Sequence, residues 1–166
     1  MEFRKYDEED ATEILSWIKN EREFRLWSAY RYKDYPIKPE DMNENYRKSA
    51  ENANFFPMVL TENGKVVGHI IIRNPGEDKQ IIRFGFIIVN SEIRRKGYGR
   101  KLILKAIEYA KGVLNAKEIN LGVFTTNIAA IECYKSLGFE ITSTTKDFMK
   151  FQEETWDCFE MKLKEI

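Results

Sequence analysis

The 166-residue chain is poor in the residues that build covalent or metal frameworks: it has two cysteines, Cys133 and Cys158, and one histidine, His69. Two thiols define neither a disulfide framework nor a zinc site, so a reduced, cytoplasmic setting without a metal is expected. Charge excess is missing as well. The 27 basic residues balance 27 acidic ones, which removes any global argument for nucleic acid or an anionic membrane and confines a basic patch to one locality. Met1-Glu2-Phe3-Arg4-Lys5-Tyr6-Asp7 carries no apolar signal core, and no stretch approaches membrane-spanning length. Internal repeats, low-complexity tracts and Gly/Ser linkers are also lacking, so one domain over residues 1–166 is expected. Its composition, 43% hydrophobic and 33% charged, suits a soluble globular protein with a real core.

The patterning that is present reads as mixed α/β. Phe3 to Tyr6 is strand-like, and Asp7 could cap a helix carrying Ala11, Ile14, Leu15 and Ile18. Trp27 to Lys38 is aromatic, charged and weakly periodic, interrupted by Pro36. It reads as a loop, with a second helix starting near Pro39. Met58–Thr61, the turn Glu62-Asn63-Gly64, and Lys65–Arg73 form a hairpin signal, since Asn-Gly supplies the positive φ angles of a tight turn. After a turn at Asn74–Asp78, a strand runs from Gln80 to Val89. Leu102, Ile103, Ala106, Ile107 and Ala110 mark one face of a helix ending near Gly112. Glu118–Phe124 is a strand, and Asn127 can cap a helix carrying Ala130, Ile131, Tyr134 and Leu137 that Gly138 ends. Two strands close the chain, near Phe139–Thr144 and Thr155–Leu163.

The most informative stretch joins the fourth strand to the long helix. Ile87-Ile88-Val89 leads into Asn90-Ser91-Glu92-Ile93 and then Arg94-Arg95-Lys96-Gly97-Tyr98-Gly99-Arg100. Glycines let the backbone turn so that successive N–H groups converge, and the following helix N-terminus favours negative charge. A phosphate-bearing ligand is therefore expected here. A P-loop is excluded, because Lys96 precedes Gly97 and no Ser or Thr follows Gly99. A dinucleotide fingerprint is weak, because Leu102 stands where its third glycine belongs.

Arg94-Arg95-Lys96-Gly97-Tyr98-Gly99 resembles the Arg/Gln-x-x-Gly-x-Gly/Ala signature of the GNAT superfamily of acyl-CoA-dependent N-acetyltransferases. A second segment, Asn127-Ile128-Ala129-Ala130-Ile131-Glu132-Cys133-Tyr134-Lys135-Ser136-Leu137-Gly138-Phe139, resembles that family's Asn-x-x-Ala-x-x-x-Tyr-x-x-x-Gly-Phe pattern at every named position. The resemblance implies a mostly antiparallel mixed sheet flanked by helices, with a splayed strand pair at the coenzyme A site. It implies that Ile87, Ile88 and Val89 pair through the main chain with the pantetheine arm. The N–H groups from Arg95 to Arg100, with the Arg94, Arg95 and Lys96 side chains, would hold phosphates, and Asn127 would touch the arm. It further implies direct acetyl transfer from acetyl-CoA to a primary amine, with Tyr134 protonating the departing thiolate. The expected partners are acetyl-CoA and an amine acceptor of unknown identity, without nucleic acid or membrane, in a monomer or homodimer.

The chain departs from that family where many members carry a glutamate base: Arg83 and Gly122 stand at those positions. The remaining base candidates are His69, Asp34, Glu153 and Glu154, or a water chain. Each singled-out group also has a plainer reading. His69 in an apolar strand can be simply packed, Tyr134 can be a core tyrosine, and Asn127 can be only a cap. Cys133 is rotated about 100° from Tyr134 around a helix, so it is not expected to act as a nucleophile. The aromatic run Trp27 to Tyr35 can be core or the lining of an acceptor pocket, and the last strand with Trp156 and Phe159-Glu160-Met161 is expected to wall the acceptor side. Two rival functions remain: a non-catalytic acyl-CoA-binding domain, for which Tyr134 has little use, and a nucleic-acid module, which rests on the basic loop alone.

Overall fold

Alternation along the strands sorts side chains to two faces and thereby decides which helices each face receives. The computed structural model describes residues 1–165. Among these, the order is β1 (Glu2–Lys5), α1 (Asp10–Ser16), α2 (Glu21–Ser28), α3 (Pro39–Ala50), β2 (Phe55–Glu62), β3 (Lys65–Arg73), β4 (Ile81–Val89), a 3₁₀ turn (Ser91–Ile93), α4 (Tyr98–Gly112), β5 (Glu118–Phe124), α5 (Ile128–Ser136), β6 (Phe139–Phe151) and β7 (Glu154–Leu163). One sheet runs in the order β1-β2-β3-β4-β5-β7-β6. Every neighbouring pair is antiparallel except β4 and β5, which are parallel.

On one face, Leu102, Ile103, Ala106 and Ala110 of α4 and Ile131 and Tyr134 of α5 bury against Ile70 and Ile72 of β3, Phe84 of β4, and Ile119 and Leu121 of β5. On the other, Ala11, Ile14 and Trp17 pack with Met42 and Tyr46 of α3 over Val59, Ile71 and Ile88. Burial at about 25 cal/mol per Å² of apolar surface drives both layers. The Asn63-Gly64 turn takes φ of 52° and 77°, as its sequence demands.

Three expectations need correction. The loop assigned from Trp27 begins too early, because α2 covers Glu21–Ser28. Its signal is the cap: the Asn20 side chain accepts the Glu23 N–H, while Glu23 accepts the Lys19 N–H at 2.9 Å. Asp7 is not the cap of α1, which starts at Asp10 and ends at Ser16, before Ile18. Instead Asp10 accepts the Asp7 N–H while pairing with Arg4 at 2.8 Å. Lastly, β6 extends to Phe151 rather than Thr144, because β7 is long enough to pair with all of it across two register shifts. Its middle, Thr142 to Asp147, is polar and exposed, which hides the continuation to Met149 and Phe151 from hydrophobic patterning.

His69 follows its plainer reading. It is fully buried, its Nδ1 lies 2.9 Å from the Met58 carbonyl and its Nε2 lies 2.8 Å from the Tyr46 hydroxyl. The carbonyl can only accept, so Nδ1 carries the proton and Nε2 accepts from Tyr46. Desolvation lowers its pKa to about 4. Both ring nitrogens are occupied, and a solvent-facing base role is excluded.

Candidate active site

The site begins where two strands part. β4 pairs with β5 only from Ile81 to Phe84, against Glu118 to Leu121. Beyond that point β5 is held by β7, from Asn120 to Phe124. Meanwhile β4 shifts register against β3 between His69 and Ile71, and Phe86 takes a positive φ of 52°. Such a bulge re-aims the following main-chain groups. Trp27 of α2 pins it, donating from Nε1 to the Phe86 carbonyl at 3.0 Å. Ile87, Ile88 and Val89 therefore run past the last β5 pairing with a main-chain edge facing the gap.

The basic loop closes the inner end of that gap. The Asn90 side chain caps the 3₁₀ turn by accepting the Glu92 N–H at 2.9 Å. Arg95 and Gly97 then adopt left-handed φ of 65° and 80°, and Gly97 is the N-cap of α4 without any side-chain cap. Alternating hands of this kind turn N–H groups toward one concavity, and the uncapped first turn adds its own donors and positive dipole end. Gly99 packs beneath Val89, 3.8 Å from where its Cβ would stand.

From the opposite side comes α5. Asn127 is its N-cap and accepts the Ala130 N–H at 3.4 Å, so capping is observed. Tyr134 is 6% exposed, packed 6.0 Å from the Phe139 ring, and burial pushes its phenol well above the usual value. That phenol stays protonated at physiological pH, so it can donate a proton or hydrogen bond but cannot serve as a base. Burial also raises the Cys133 thiol, which keeps it from being a thiolate nucleophile.

These elements enclose one cavity of about 720 Å³. Its wall includes Ile87, Ile88, Val89, Arg94, Arg95, Gly97, Tyr98, Gly99, Arg100, Asn127 and Tyr134. Lys96, exposed on the loop, is the one expected ligand residue that does not line it. Arg100 lines the wall but spends its Nη1 on Ser136, at 2.8 Å from Oγ, which ties α4 to α5. Opposite them the wall comes from Trp17 and Ile18 after α1 and from Arg22, Glu23, Leu26 and Trp27 of α2, with Cys133 of α5 also on the lining. The aromatic run is thus divided: Trp27 lines the cavity, while Tyr32 is buried beside Phe24.

The positions opposite the expected carboxylates have a defined role. Arg83 Nη1 and Nη2 clamp Glu160 at 2.7 and 2.9 Å, and Nη1 also donates to Asn120 at 2.9 Å. A Cβ at Gly122 would stand 2.8 Å from Arg83 Nη2, so glycine there makes room for the guanidinium. Glu154 forms a two-point pair with Arg22, whose hydrogen bonds hold its carboxyl below the usual range. Neither Asp34, Glu153 nor Glu154 lines the cavity, and its one carboxylate among the described residues is Glu23. Of the last strand, Trp156 and Glu160 lie on the α2 side, whereas Phe159 and Met161 alternate into the α4–α5 core, so only the first pair can wall an acceptor.

The sequence profile of the acetyltransferase (GNAT) family matches residues 13–139, more than half of the chain. An L-amino acid N-acetyltransferase of Escherichia coli is 32% identical over 114 residues, covering 68% of this chain and 70% of the relative. An uncharacterized N-acetyltransferase of Methanocaldococcus jannaschii is 38% identical over 97 residues, where this chain spans only 42% of the relative's length. Among solved structures, spermidine N-acetyltransferase from Vibrio cholerae in complex with CoA and spermine superposes with a TM-score of 0.81 over 97% of this chain and 93% of that one, at 21% identity.

Proposed function

The chain belongs to the acetyltransferase (GNAT) family and is an acyltransferase, and from that premise we propose that it moves acetyl from acetyl-CoA directly onto a primary amine in the 720 Å³ cavity. The observation that carries the reading is the convergence on one wall of three separate stretches: the main-chain edge Ile87–Val89, the uncapped cradle Arg94–Arg100, and Asn127 with Tyr134. The edge suits an amide-bearing pantetheine arm, which it can pair as it would a peptide strand. The cradle suits the pyrophosphate.

Chemistry follows from this placement. The neutral amine attacks the thioester carbonyl carbon. An N–H of the Ile87–Val89 edge stabilises the oxyanion. The C–N bond forms, the C–S bond breaks, and Tyr134 gives its proton to the departing thiolate. The amine's surplus proton leaves to water, and a proton from water returns to the Tyr134 oxygen, which burial keeps strongly basic, so the phenol is restored for the next turnover. Deprotonating a lysine-like amine of pKa about 10.4 at pH 7 costs roughly 4 kcal/mol, against about 1 kcal/mol for an α-amine near 8. With Arg83 and Gly122 replacing the usual carboxylates, an amine of lower pKa is the easier acceptor.

An amine panel assayed for free CoA release, run beside Tyr134→Phe, tests this reading. Turnover on at least one amine is expected, with kcat falling by about 10²-fold or more in the variant and the KM for acetyl-CoA little changed. Full kcat in Tyr134→Phe removes the acid role. Binding of acetyl-CoA with no turnover on any amine removes the transfer reading.

A further inference from the structure

The Phe86–Ile87 peptide unit is the part of β4 that the sheet leaves unpaired. Against β3 the register passes from Gly85, opposite Ile71, to Ile88, opposite His69, and against β5 the pairing ends at Phe84. Phe86 and Ile87 therefore stand outside both ladders, and Phe86 holds a positive φ that side chains disfavour. Helix α2 supplies what the ladders do not. The Trp27 indole N–H reaches the Phe86 carbonyl at 3.0 Å. Its ring stands edge-on to the Phe86 ring, centroids 5.9 Å apart at 86°, and stacks beside Tyr32 at 6.3 Å and 18°. Arg31 adds a second hold: its guanidinium lies 4.6 Å from the Phe86 ring centre and is itself tied to Asn45 Oδ1 at 2.6 Å and Ser49 Oγ at 2.7 Å. An aromatic ring without a donor would satisfy the packing at position 27. The indole has one donor, and it is spent on the carbonyl of the unpaired residue.

That bond has a consequence on the other side of the peptide. A trans peptide carries its C=O and its N–H on opposite sides of one plane. Holding the Phe86 carbonyl toward α2 therefore turns the Ile87 N–H away from α2. Trp27 packs with the α1 and α3 layer, whereas Ile87 packs with the α4 and α5 layer that holds Tyr134. The Ile87 N–H is thus directed from the α2 wall of the cavity toward the side where Tyr134 stands. A donor aimed at the thioester oxygen acts most strongly when its direction is set before the oxygen gains charge.

We infer that Trp27 is a positioning residue for acetyl transfer: its indole orients the Phe86–Ile87 peptide so that the Ile87 N–H meets the oxyanion. The inference rests on the acetyl-transfer reading above and assigns the aim of its oxyanion donor to one side chain. That side chain lies on the helix that also offers Glu23 and Leu26 to the cavity, so one element carries both the wall opposite the donor and the pin of the reacting edge.

Trp27→Phe removes the N–H and keeps an aromatic ring beside Phe86 and Tyr32, so it separates aim from packing. On an amine that the unaltered protein turns over, kcat is expected to fall by about 10- to 100-fold, with both KM values little changed, as loss of an interaction made in the transition state does. The unfolding midpoint and the affinity for acetyl-CoA by titration are expected to stay close to those of the unaltered protein. A second measurement needs no variant: S-carboxymethyl-CoA places an anionic oxygen where the acetyl oxygen would lie, and its binding is expected to move the Ile87 amide proton downfield relative to CoA itself. Unchanged kcat in Trp27→Phe overturns the inference while leaving acetyl transfer standing. So does an Ile87 amide that does not distinguish the two CoA compounds. A kcat loss matched by weaker acetyl-CoA binding and a lower unfolding midpoint also overturns it, by marking Trp27 as structural. No CoA release on any amine from the unaltered protein, which still binds acetyl-CoA, fails the transfer reading itself.

Discussion

The donor half and the acceptor half of the cavity are built from different materials. On the side proposed for the donor, the wall is largely main chain, the edge Ile87–Val89 and the Arg95–Arg100 turn, shaped by two left-handed residues and an uncapped helix. On the side proposed for the acceptor, the wall is made of side chains, Trp17, Ile18, Arg22, Glu23, Leu26 and Trp27, and is braced by pairs reaching beyond it, Arg22 with Glu154 and Arg83 with Glu160. A main-chain site serves any member that keeps the donor, because it needs only backbone shape. A side-chain site can be re-specified by single exchanges. That difference allows a fixed donor to serve acceptors as unlike as an amino acid and a polyamine, the two acceptors named for the proteins to which this chain is similar.

The largest effect that separates the halves is their response to acid. His69 lies in the scaffold of the acceptor side, between Tyr46 of α3 and Met58 of β2, and is the chain's one histidine. Its folded pKa of about 4 lies below the ordinary 6.5, so the unfolded chain binds a proton in that window and the folded chain does not. The resulting stability is fully present above pH 6.5 and is lost as pH falls toward 4. At 1.36 kcal/mol per unit, unfolding free energy from denaturant titration is expected to drop roughly 2 kcal/mol between pH 7 and pH 5 on this account. An imidazole NMR signal that titrates near 6.5 in the folded protein would remove that contribution.

Two glycines give smaller, sharper contrasts. Gly97 holds φ of 80°, which an alanine adopts at about 1–2 kcal/mol, so Gly97→Ala is expected to raise the acetyl-CoA KM about tenfold and leave the amine KM unchanged. Gly122→Ala puts a Cβ 2.8 Å from Arg83 Nη2, the far end of a flexible side chain. It is expected to loosen the Arg83–Glu160 clamp and raise the amine KM by roughly three- to tenfold, with acetyl-CoA KM unchanged, as loss of one charge-assisted contact would. Steady-state kinetics varying each substrate in turn would distinguish the two. If both variants move the same KM, the halves are not separable.

The same contrast explains what could be read from the sequence. The two stretches that form the main-chain wall are legible because they lie in two short windows at fixed spacing, and because turns and caps demand particular residue types. Gly97, Asn127 and Gly138 are each required locally. The acceptor half was largely illegible, since nothing in the neighbourhood of Arg83 announces Glu160, 77 positions away. The emptiness of the glutamate positions was visible, but the reason for Gly122, room for a guanidinium, appears only once β5 and β7 are side by side. The missed α2 is a different failure. Its cap Asn20 with Glu23 is a local signal, but Trp27 reads with the aromatic run that follows it, although it lies in the last turn of the helix and pins the β4 bulge. The continuation of β6 is hidden because its middle, Thr142 to Asp147, is polar and exposed and separates Met149 and Phe151 from the apolar start of the strand.

The central claim is that the cradle and the splayed edge together hold acetyl-CoA before any amine arrives. Isothermal titration of the unaltered protein with acetyl-CoA, in the absence of acceptor, tests it most directly. One site per chain is predicted, weakened about tenfold in Gly97→Ala and unaltered in Gly122→Ala. No binding heat up to millimolar acetyl-CoA, or equal weakening in both variants, would contradict it.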